Sequence, residues 1–270
     1  MINLPRRKKI LEILEQEGEI NTTELSDRLG VTGATVRSDI RDLEHEGAIV
    51  RFHGGIRLPH REESNAGENY MIRSIANVDL KNAIGAEAAR LVGDGDTIFM
   101  DASSTTFHMI PYLSKTSDVT VITNGLHTAM ELQRYDCFKS ILVLGGSLRP
   151  HSGAIEGISS REMIKRLTGE FYFVSGNGFS YQSGLTGNNF FELELKRMCA
   201  ERVKNIVAMV DSSKMGIDST SNFINTSKIN CLITDSGIND SGEKLATVEK
   251  CRKSGIKVIV ADLAGVKKAK

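Results

Sequence analysis

Thr22-Thr23-Glu24-Leu25-Ser26-Asp27-Arg28-Leu29-Gly30-Val31-Thr32-Gly33-Ala34-Thr35-Val36-Arg37-Ser38-Asp39-Ile40-Arg41-Asp42-Leu43 is the stretch that decides how the front of this chain folds. Asn21 three residues before Glu24 is a capping-box-like helix start, Leu25 and Leu29 give that helix an apolar side, and Gly30 supplies a left-handed stop. Thr32 then caps a second helix, on which Val36, Ile40 and Leu43 recur at i, i+4 and i+7 and share one buried stripe. The opposite face carries Arg37, Ser38, Arg41 and His45. Two short helices around a tight glycine turn, the second with arginines outward, are what a helix-turn-helix needs to place side chains in a major groove.

Reading outward from this pair, Pro5 suits a first helical turn and Ile10, Leu11 and Leu14 form one face of a preceding helix that Gly18 ends. Beyond Gly47, residues Ala48 to Arg57 read as a hairpin turning at Gly54-Gly55, which makes the module a winged helix. Arg6, Arg7, Lys8 and Lys9 lie at the positive end of the first helix dipole, so an external phosphate partner is expected for them. Residues 1–61 hold ten Lys plus Arg and ten Asp plus Glu, so there is no net basic excess, and a charge run of this kind is ordinarily a solvated face. The signal is segregation. Glu12, Glu15, Glu17, Glu19, Glu24 and Asp27 sit on the first two helices, whereas Arg37, Arg41, Arg51, His53 and Arg57 belong to the third helix and the wing. Thr32, Thr35, Arg37, Ser38, Arg41, Arg51, His53 and Arg57 are the expected DNA-contacting set; His53 serves equally well as a cap of its turn.

The whole chain has 270 residues, 34 Lys plus Arg against 34 Asp plus Glu, and 40% hydrophobic content, enough for one large core and a small extra module. Leu58 to Asn69 is polar and reads as a linker, giving a winged helix-turn-helix over 1–57, a linker over 58–69 and a large domain over 70–270. The longest uncharged run, Phe171 to Phe191, is broken by Gly176, Gly178, Gly184 and Gly187, and no signal-like apolar run follows the basic N-terminus, so no membrane span and a cytoplasmic, nucleoid-associated protein are expected. Cys137, Cys199, Cys231 and Cys251 form no C-x-x-C pair and read as packing residues. His108, His127 and His151 show no ligand spacing, so neither a metal nor a cofactor is expected.

After the linker, short apolar runs at 97–100, 119–122, 140–144, 171–174, 206–210, 231–234 and 257–260 alternate with helical stretches at 81–91, 105–113, 126–133, 160–167 and 191–200. This is the alternation of a mostly parallel α/β sheet covered on both faces. The runs end in polar loops: Asp101 with Ser103, Ser104, Thr105 and Thr106; Thr123, Asn124 and Gly125; then Gly145 and Gly146. Asp101, Thr123 and Gly145 recur every 22 residues. In a parallel sheet these loops converge on the carboxyl edge, the usual ligand crevice. The Ser/Thr turn opening a helix suits a phosphate, and the glycines allow close backbone approach. Lys196 and Lys214 are candidate cations, although a helical Lys such as Lys196 is more often a surface residue.

The first module, through Thr22 to Thr32, Thr35 to Ile40, Asp42-Leu43, Gly47, Arg51 and His53-Gly54-Gly55, resembles the DeoR family of bacterial sugar-metabolism regulators. Ser38 stands where many members have a second Arg. The large domain resembles the DeoR effector domain through Asp101 to Thr106, Thr123-Asn124, Gly145 to Arg149, Gly184 to Thr186, Glu192 to Met198 and Asp211 to Lys214. The resemblance implies a fold similar to sugar-phosphate isomerases and a sugar-phosphate effector: Ser103 to Thr106 holding the phosphate, Asn124 and Gly146 lining the pocket, and Glu194, Lys196 and Lys214 near the sugar.

The expected function is therefore a repressor of a sugar-catabolism operon, a homo-oligomer (dimer or tetramer) whose partners are operator DNA and a phosphorylated sugar. Two competing readings remain at this level. One is a sugar-phosphate isomerase with Glu194 or Asp101 as base and Lys214 as electrophile, which leaves the first 57 residues without a purpose. The other is a DNA-bound scaffold with an empty pocket.

Overall fold

The computed structural model describes residues 4–59 and 69–262. They fall into two units, Met1–Ala76 and Asn77–Lys270.

In the first unit α1 (Leu4–Glu17), the short strand β1 (Glu19–Ile20), α2 (Thr22–Leu29), α3 (Gly33–His45), β2 (Val50–Phe52), β3 (Gly55–Arg57) and α4 (Tyr70–Ile75) follow one another. Both caps form: Asn21 Oδ1 accepts from Glu24 N at 2.8 Å and Thr32 Oγ1 from Thr35 N at 3.3 Å. Gly30 closes α2 at φ 63°. Ile10, Leu11, Leu14, Leu25, Val36, Ile40, Leu43 and Ile56 meet in one core. The wing is an antiparallel sheet in the order β1-β3-β2, and at Gly55 a Cβ would lie 2.4 Å from Ile20 O, so only glycine lets β3 reach β1. Residues 70–75, which the sequence places with the large domain, group with this unit: Ile75 joins its core, and Asn69 caps α4 while donating to Glu46 O at 2.9 Å. Most of the expected linker, residues 60–68, lies outside the described residues.

The second unit contains α5 (Val78–Ala89), β4 (Thr97–Met100), α6 (Ser104–Phe107), β5 (Val119–Thr123), α7 (Leu126–Leu132), β6 (Phe138–Val143), β7 (Ser147–Leu148), β8 (Ile155–Glu156), α8 (Ile158–Ile164), β9 (Gly169–Val174), β10 (Gly178–Ser180), β11 (Gly184–Gly187), α9 (Phe190–Ala200), β12 (Val203–Met209), β13 (Ser221–Ile224), β14 (Cys231–Asp235), α10 (Gly242–Lys253) and β15 (Lys257–Ala261). All seven apolar runs become strands of one parallel sheet, ordered β15-β14-β12-β9-β4-β5-β6. Successive side chains go to opposite faces: Ile98, Met100, Phe173, Val207 and Met209 build one core layer, and Phe99, Tyr172, Val174, Ile206 and Ala208 the other.

The antiparallel sheet β10-β11-β13, the β7–β8 hairpin and α10 are additions to the sequence reading. Their strands are two to four residues long and rich in Gly, Ser and Asn, too short to show a period. The helix expected over 105–113 is one α turn followed by a 3₁₀ segment, Ile110–Lys115, with Pro111 near its start.

From β4 the chain steps outward to β5 and β6, then returns to the other side of β4 at β9 and continues to β15. The order therefore reverses between β4 and β9, the place where ligands bind in open α/β sheets.

Candidate functional site

On α3, Arg37, Ser38, Arg41 and His45 are exposed, opposite the buried Val36, Ile40 and Leu43. Thr32 and Thr35 begin this side of the helix, their hydroxyls 2.9 Å apart. Asp39, Asp42, Glu44 and Glu46 lie on or beside the same helix and would cancel the arginines. The structure takes three of the four out of that balance: Arg6 and Arg7 of α1 both pair with buried Asp39, and Arg7 also reaches Asp42 and, at 3.0 Å, Glu46. Arg6 and Arg7 thus tie α1 to α3, which corrects the expectation of an external phosphate for them. Among the described residues Arg37 and Arg41 pair with no carboxylate. The wing cations are more constrained. Arg51 lies 2.8 Å from Glu44, Arg57 is half-buried and donates to Leu58 O at 3.0 Å, and His53 is exposed at the turn.

In the second unit Asp101 follows β4 directly and Ser175 follows β9, so both stand at the reversal. The buried Asp101 carboxylate accepts from Ser103 N (3.1 Å) and Thr106 Oγ1 (2.7 Å) on Oδ1, and from Ser175 N (3.1 Å) and Lys196 Nζ (2.9 Å) on Oδ2. Lys196, buried on α9, also donates to Ser175 O at 2.9 Å and pairs with Glu192 Oε1 at 3.1 Å, which engages all three of its donors. Glu192 Oε2 in turn holds Arg149 Nη2 at 2.8 Å. Charges alternate along Arg149, Glu192, Lys196 and Asp101. Burial alone would raise the Asp101 carboxyl, but the Lys196 ammonium and the hydrogen bonds from Ser103 and Ser175 hold it below the usual carboxylate range. Burial likewise opposes the Lys196 charge, and Asp101 with Glu192 raises that amine above its ordinary value.

The Ser/Thr turn is packed around this pair. Ser103 Oγ accepts from Thr106 N at 3.2 Å, and Thr105 Oγ1 lies 3.5 Å from both Ser175 Oγ and Lys214 Nζ. The N–H groups of Ser104 and Thr105 have no acceptor among the described residues. Lys214 pairs with Asp211 at 3.3 Å, and its side chain, 24% exposed, is the most open cation of the group.

Asn124 and the glycines hold the β7–β8 hairpin in place. Asn124 exchanges hydrogen bonds with Ile155, through Asn124 O at 2.7 Å and Asn124 Nδ2 at 3.2 Å, while Thr123 Oγ1 accepts from Gly125 N at 3.0 Å. Gly145 O accepts from Ser160 Oγ at 2.5 Å. Gly146, at φ 151°, has Glu156 O where its Cβ would be, 2.3 Å away. These residues seat the β7–β8 hairpin on the loop after β5, and the hairpin reaches α9 through Arg149 and Glu192.

Glu194 falls outside the cluster. Two residues from Lys196, it projects about 200° around α9 and lies 3.6 Å from Arg197. Glu192, one turn before Lys196, is the carboxylate that pairs with it; their i,i+4 relation was the available signal. Arg149 lies three residues past Gly146, and only folding brings it to α9. A cleft of 570 Å³ lined by Tyr181, Gln182, Thr226, Asn230 and Ser254 opens at the amino edge of the sheet, before β14 and β15, and has no charged lining residue.

The profile described as DeoR-like helix-turn-helix domain matches residues 6–62, and that described as DeoR C terminal sensor domain matches residues 76–236. The chain belongs to the DeoR family. Relatives of this DeoR chain include the HTH-type transcriptional regulator GolR of Listeria innocua, 38% identical over 97% of this chain and 100% of its own length. The HTH-type transcriptional regulator GlpR of Haloferax volcanii is 30% identical over 91% and 95%, and the glycerol-3-phosphate regulon repressor of Escherichia coli 28% identical over 85% and 90%. These relatives are regulators, and the DeoR chain is a DNA-binding transcriptional regulator rather than an enzyme. A ribose 5-phosphate isomerase A from Methanocaldococcus jannaschii superposes at a TM-score of 0.38 with 19% identity, over 52% of this chain and 55% of its own.

Proposed function

We propose that this regulator represses an operon for sugar catabolism, and that a phosphorylated sugar bound at the carboxyl edge of the parallel sheet releases or modulates its hold on operator DNA. The observation that carries the reading is the β4–β9 reversal, where the turn Ser103 to Thr106, with two amides lacking acceptors, meets Lys214 and the Arg149–Glu192–Lys196–Asp101 chain. An anion there gains the Ser104 and Thr105 amides and the Lys214 ammonium. Lys196 orders the turn through Asp101 instead of meeting the ligand, because its donors are already engaged. The turn is closed, so a ligand enters by moving Lys214 and the hairpin. The names of the relatives, a glycerol-3-phosphate regulon repressor among them, support the chemical class.

On the DNA side, Arg37 and Arg41 read base edges while Thr32, Thr35 and Ser38 border them, with Arg51, His53 and Arg57 contributing from the wing. Helix-turn-helix proteins bind paired half-sites, so the working form is a homo-oligomer. Neither carboxylate expected as an isomerase base is poised as one: both Asp101 oxygens already accept two donors, and Glu194 faces Arg197.

The test is a thermal-shift screen of phosphorylated sugars on the full chain, followed by gel-shift titration of the operator with the best hit. Stabilisation by a sugar phosphate but not by its unphosphorylated parent, with altered operator affinity, is the expected result. A full screen without any shift supports the empty scaffold and ends the sensing proposal.

A further inference from the structure

Asn77 begins α5 unlike the other helix-capping asparagines of this chain. Asn21, Asn69 and Asn189 each start a helix with extended backbone and a side chain that accepts from an amide of the first turn. Asn77 stands instead at φ 55° and ψ 37°, in the left-handed region, and its side chain caps nothing in its own helix. The Asn77 amide donates to the loop after β12, to Ser213 Oγ at 3.2 Å and to Asp211 Oδ1 at 3.5 Å. It is also the first residue of the second unit, one peptide bond from Ala76, the last of the first.

The loop that holds Asn77 also carries Lys214. Buried Asp211 accepts from Ser213 Oγ on Oδ1 and faces Lys214 Nζ at 3.3 Å on Oδ2, while the same Nζ lies 3.5 Å from Thr105 Oγ1 in the Ser/Thr turn. Burial opposes the Asp211 charge, and Lys214, Ser213 and Lys81, which is buried one turn into α5, favour it. Farther along, α5 is keyed to the end of α6: Asn82 Oδ1 lies 2.8 Å from His108 Nδ1, and at Gly85 a Cβ would lie 2.5 Å from His108 O. The body of the helix is thus closely fitted, whereas its cap residue is held by long contacts.

We propose that Asn77 is a positioning residue that passes occupation of the anion site to the junction between the two units. The inference rests on the anion reading above and deepens it. An anion seated on the Ser104 and Thr105 amides competes with Asp211 for the Lys214 ammonium. A buried carboxylate deprived of a cation draws its remaining partners closer, because leaving it uncompensated is costly. Outside its own loop those partners, among the described residues, are Asn77 and Lys81, both at the start of α5. The 3.5 Å contact then shortens, Asn77 is fixed in its left-handed conformation, and the exit of the chain from α5 stiffens. The DNA-binding unit is thereby joined through a link whose freedom depends on the anion, a difference that operator binding can read.

Hydrogen exchange followed by mass spectrometry on the full chain, in sodium phosphate against sodium chloride of equal ionic strength, tests this. The Lys81 amide, which donates to Asn77 O at 3.0 Å, reports the hold on Asn77. Inorganic phosphate is expected to slow exchange in peptides covering 103–108 and, by about five- to ten-fold, in those covering 77–82. In Asn77→Gly, which keeps the left-handed region accessible and loses the amide, protection at 103–108 should remain and protection at 77–82 should vanish. Wild-type protection at 103–108 without any at 77–82 overturns the coupling and leaves the anion site standing. Protection at neither overturns the anion reading and the coupling with it. If Asn77 were only structural, Asn77→Gly would speed exchange at 77–82 equally in both salts and keep the phosphate effect, and that result also overturns the proposal.

Discussion

Asp101 and Lys196 show how burial turns two ordinary charges into a structural bolt. Asp101 is held below its usual range, so its contribution to stability is complete above 3.8 and is lost only as the pH falls through the lower folded value. Lys196 is raised, so its contribution is complete below 10.5 and lost as the pH rises through the higher folded value. Between those limits the pair is indifferent to pH. Lys196→Met removes the compensation and leaves burial to raise the Asp101 carboxyl. Urea unfolding of the second unit should then show a loss of about 3–5 kcal/mol at pH 7, smaller at pH 4, where the carboxyl protonates; Lys196→Met/Asp101→Asn should regain stability and lose the pH dependence. The DNA face offers a contrasting pair of residue tests. Arg37→Ala or Arg41→Ala should weaken operator binding in a gel shift by about 1–3 kcal/mol where the arginine makes a bidentate base contact, with the fold intact. Arg7→Ala should instead lower the melting temperature of the first unit, because it leaves buried Asp39 short of a partner.

At the scale of elements, β3 passes β1 at Gly55 with no room for a side chain. Gly55→Ala puts a methyl group 2.4 Å from Ile20 O, so the strands must part. The expected cost is about 1–3 kcal/mol, read as a lower melting temperature of the first unit together with weaker operator binding. The β7–β8 hairpin is the element that links the loop after β5 to the buried charge cluster on α9: Asn124 anchors it beside β5, and Arg149 anchors it to α9. At Gly146 a side chain has no room, because Glu156 O would lie 2.3 Å from its Cβ.

The whole molecule consists of two units with separate cores, Met1–Ala76 and Asn77–Lys270. Calorimetry should therefore resolve two transitions. A phosphorylated sugar at one hundred times its Kd should stabilise the second by about 2.7 kcal/mol and leave the first in place. Operator fragments should do the reverse, with an affinity that falls steeply as salt is added. A sugar phosphate that raised both transitions equally would contradict a ligand site confined to the second unit.

The sequence by itself determined the winged module and the seven strands, because both depend on local signals: caps at Asn21 and Thr32, a glycine stop at Gly30, an apolar period of 3.6 residues in the helices, and short continuous apolar runs for strands covered on both faces. It also marked the loops at the carboxyl edge, since every strand of a parallel sheet ends on the same side. The i,i+4 spacing of Glu192 and Lys196 was legible, but no local signal showed that Arg6 and Arg7 face Asp39, Asp42 and Glu46, or joined Arg149 to α9. Each of these depends on which way a side chain turns once distant segments pack. Partners 33 to 43 residues apart leave no period in the chain, so only the tertiary structure could choose between an arginine for DNA and an arginine for the core, or carry Arg149 to α9.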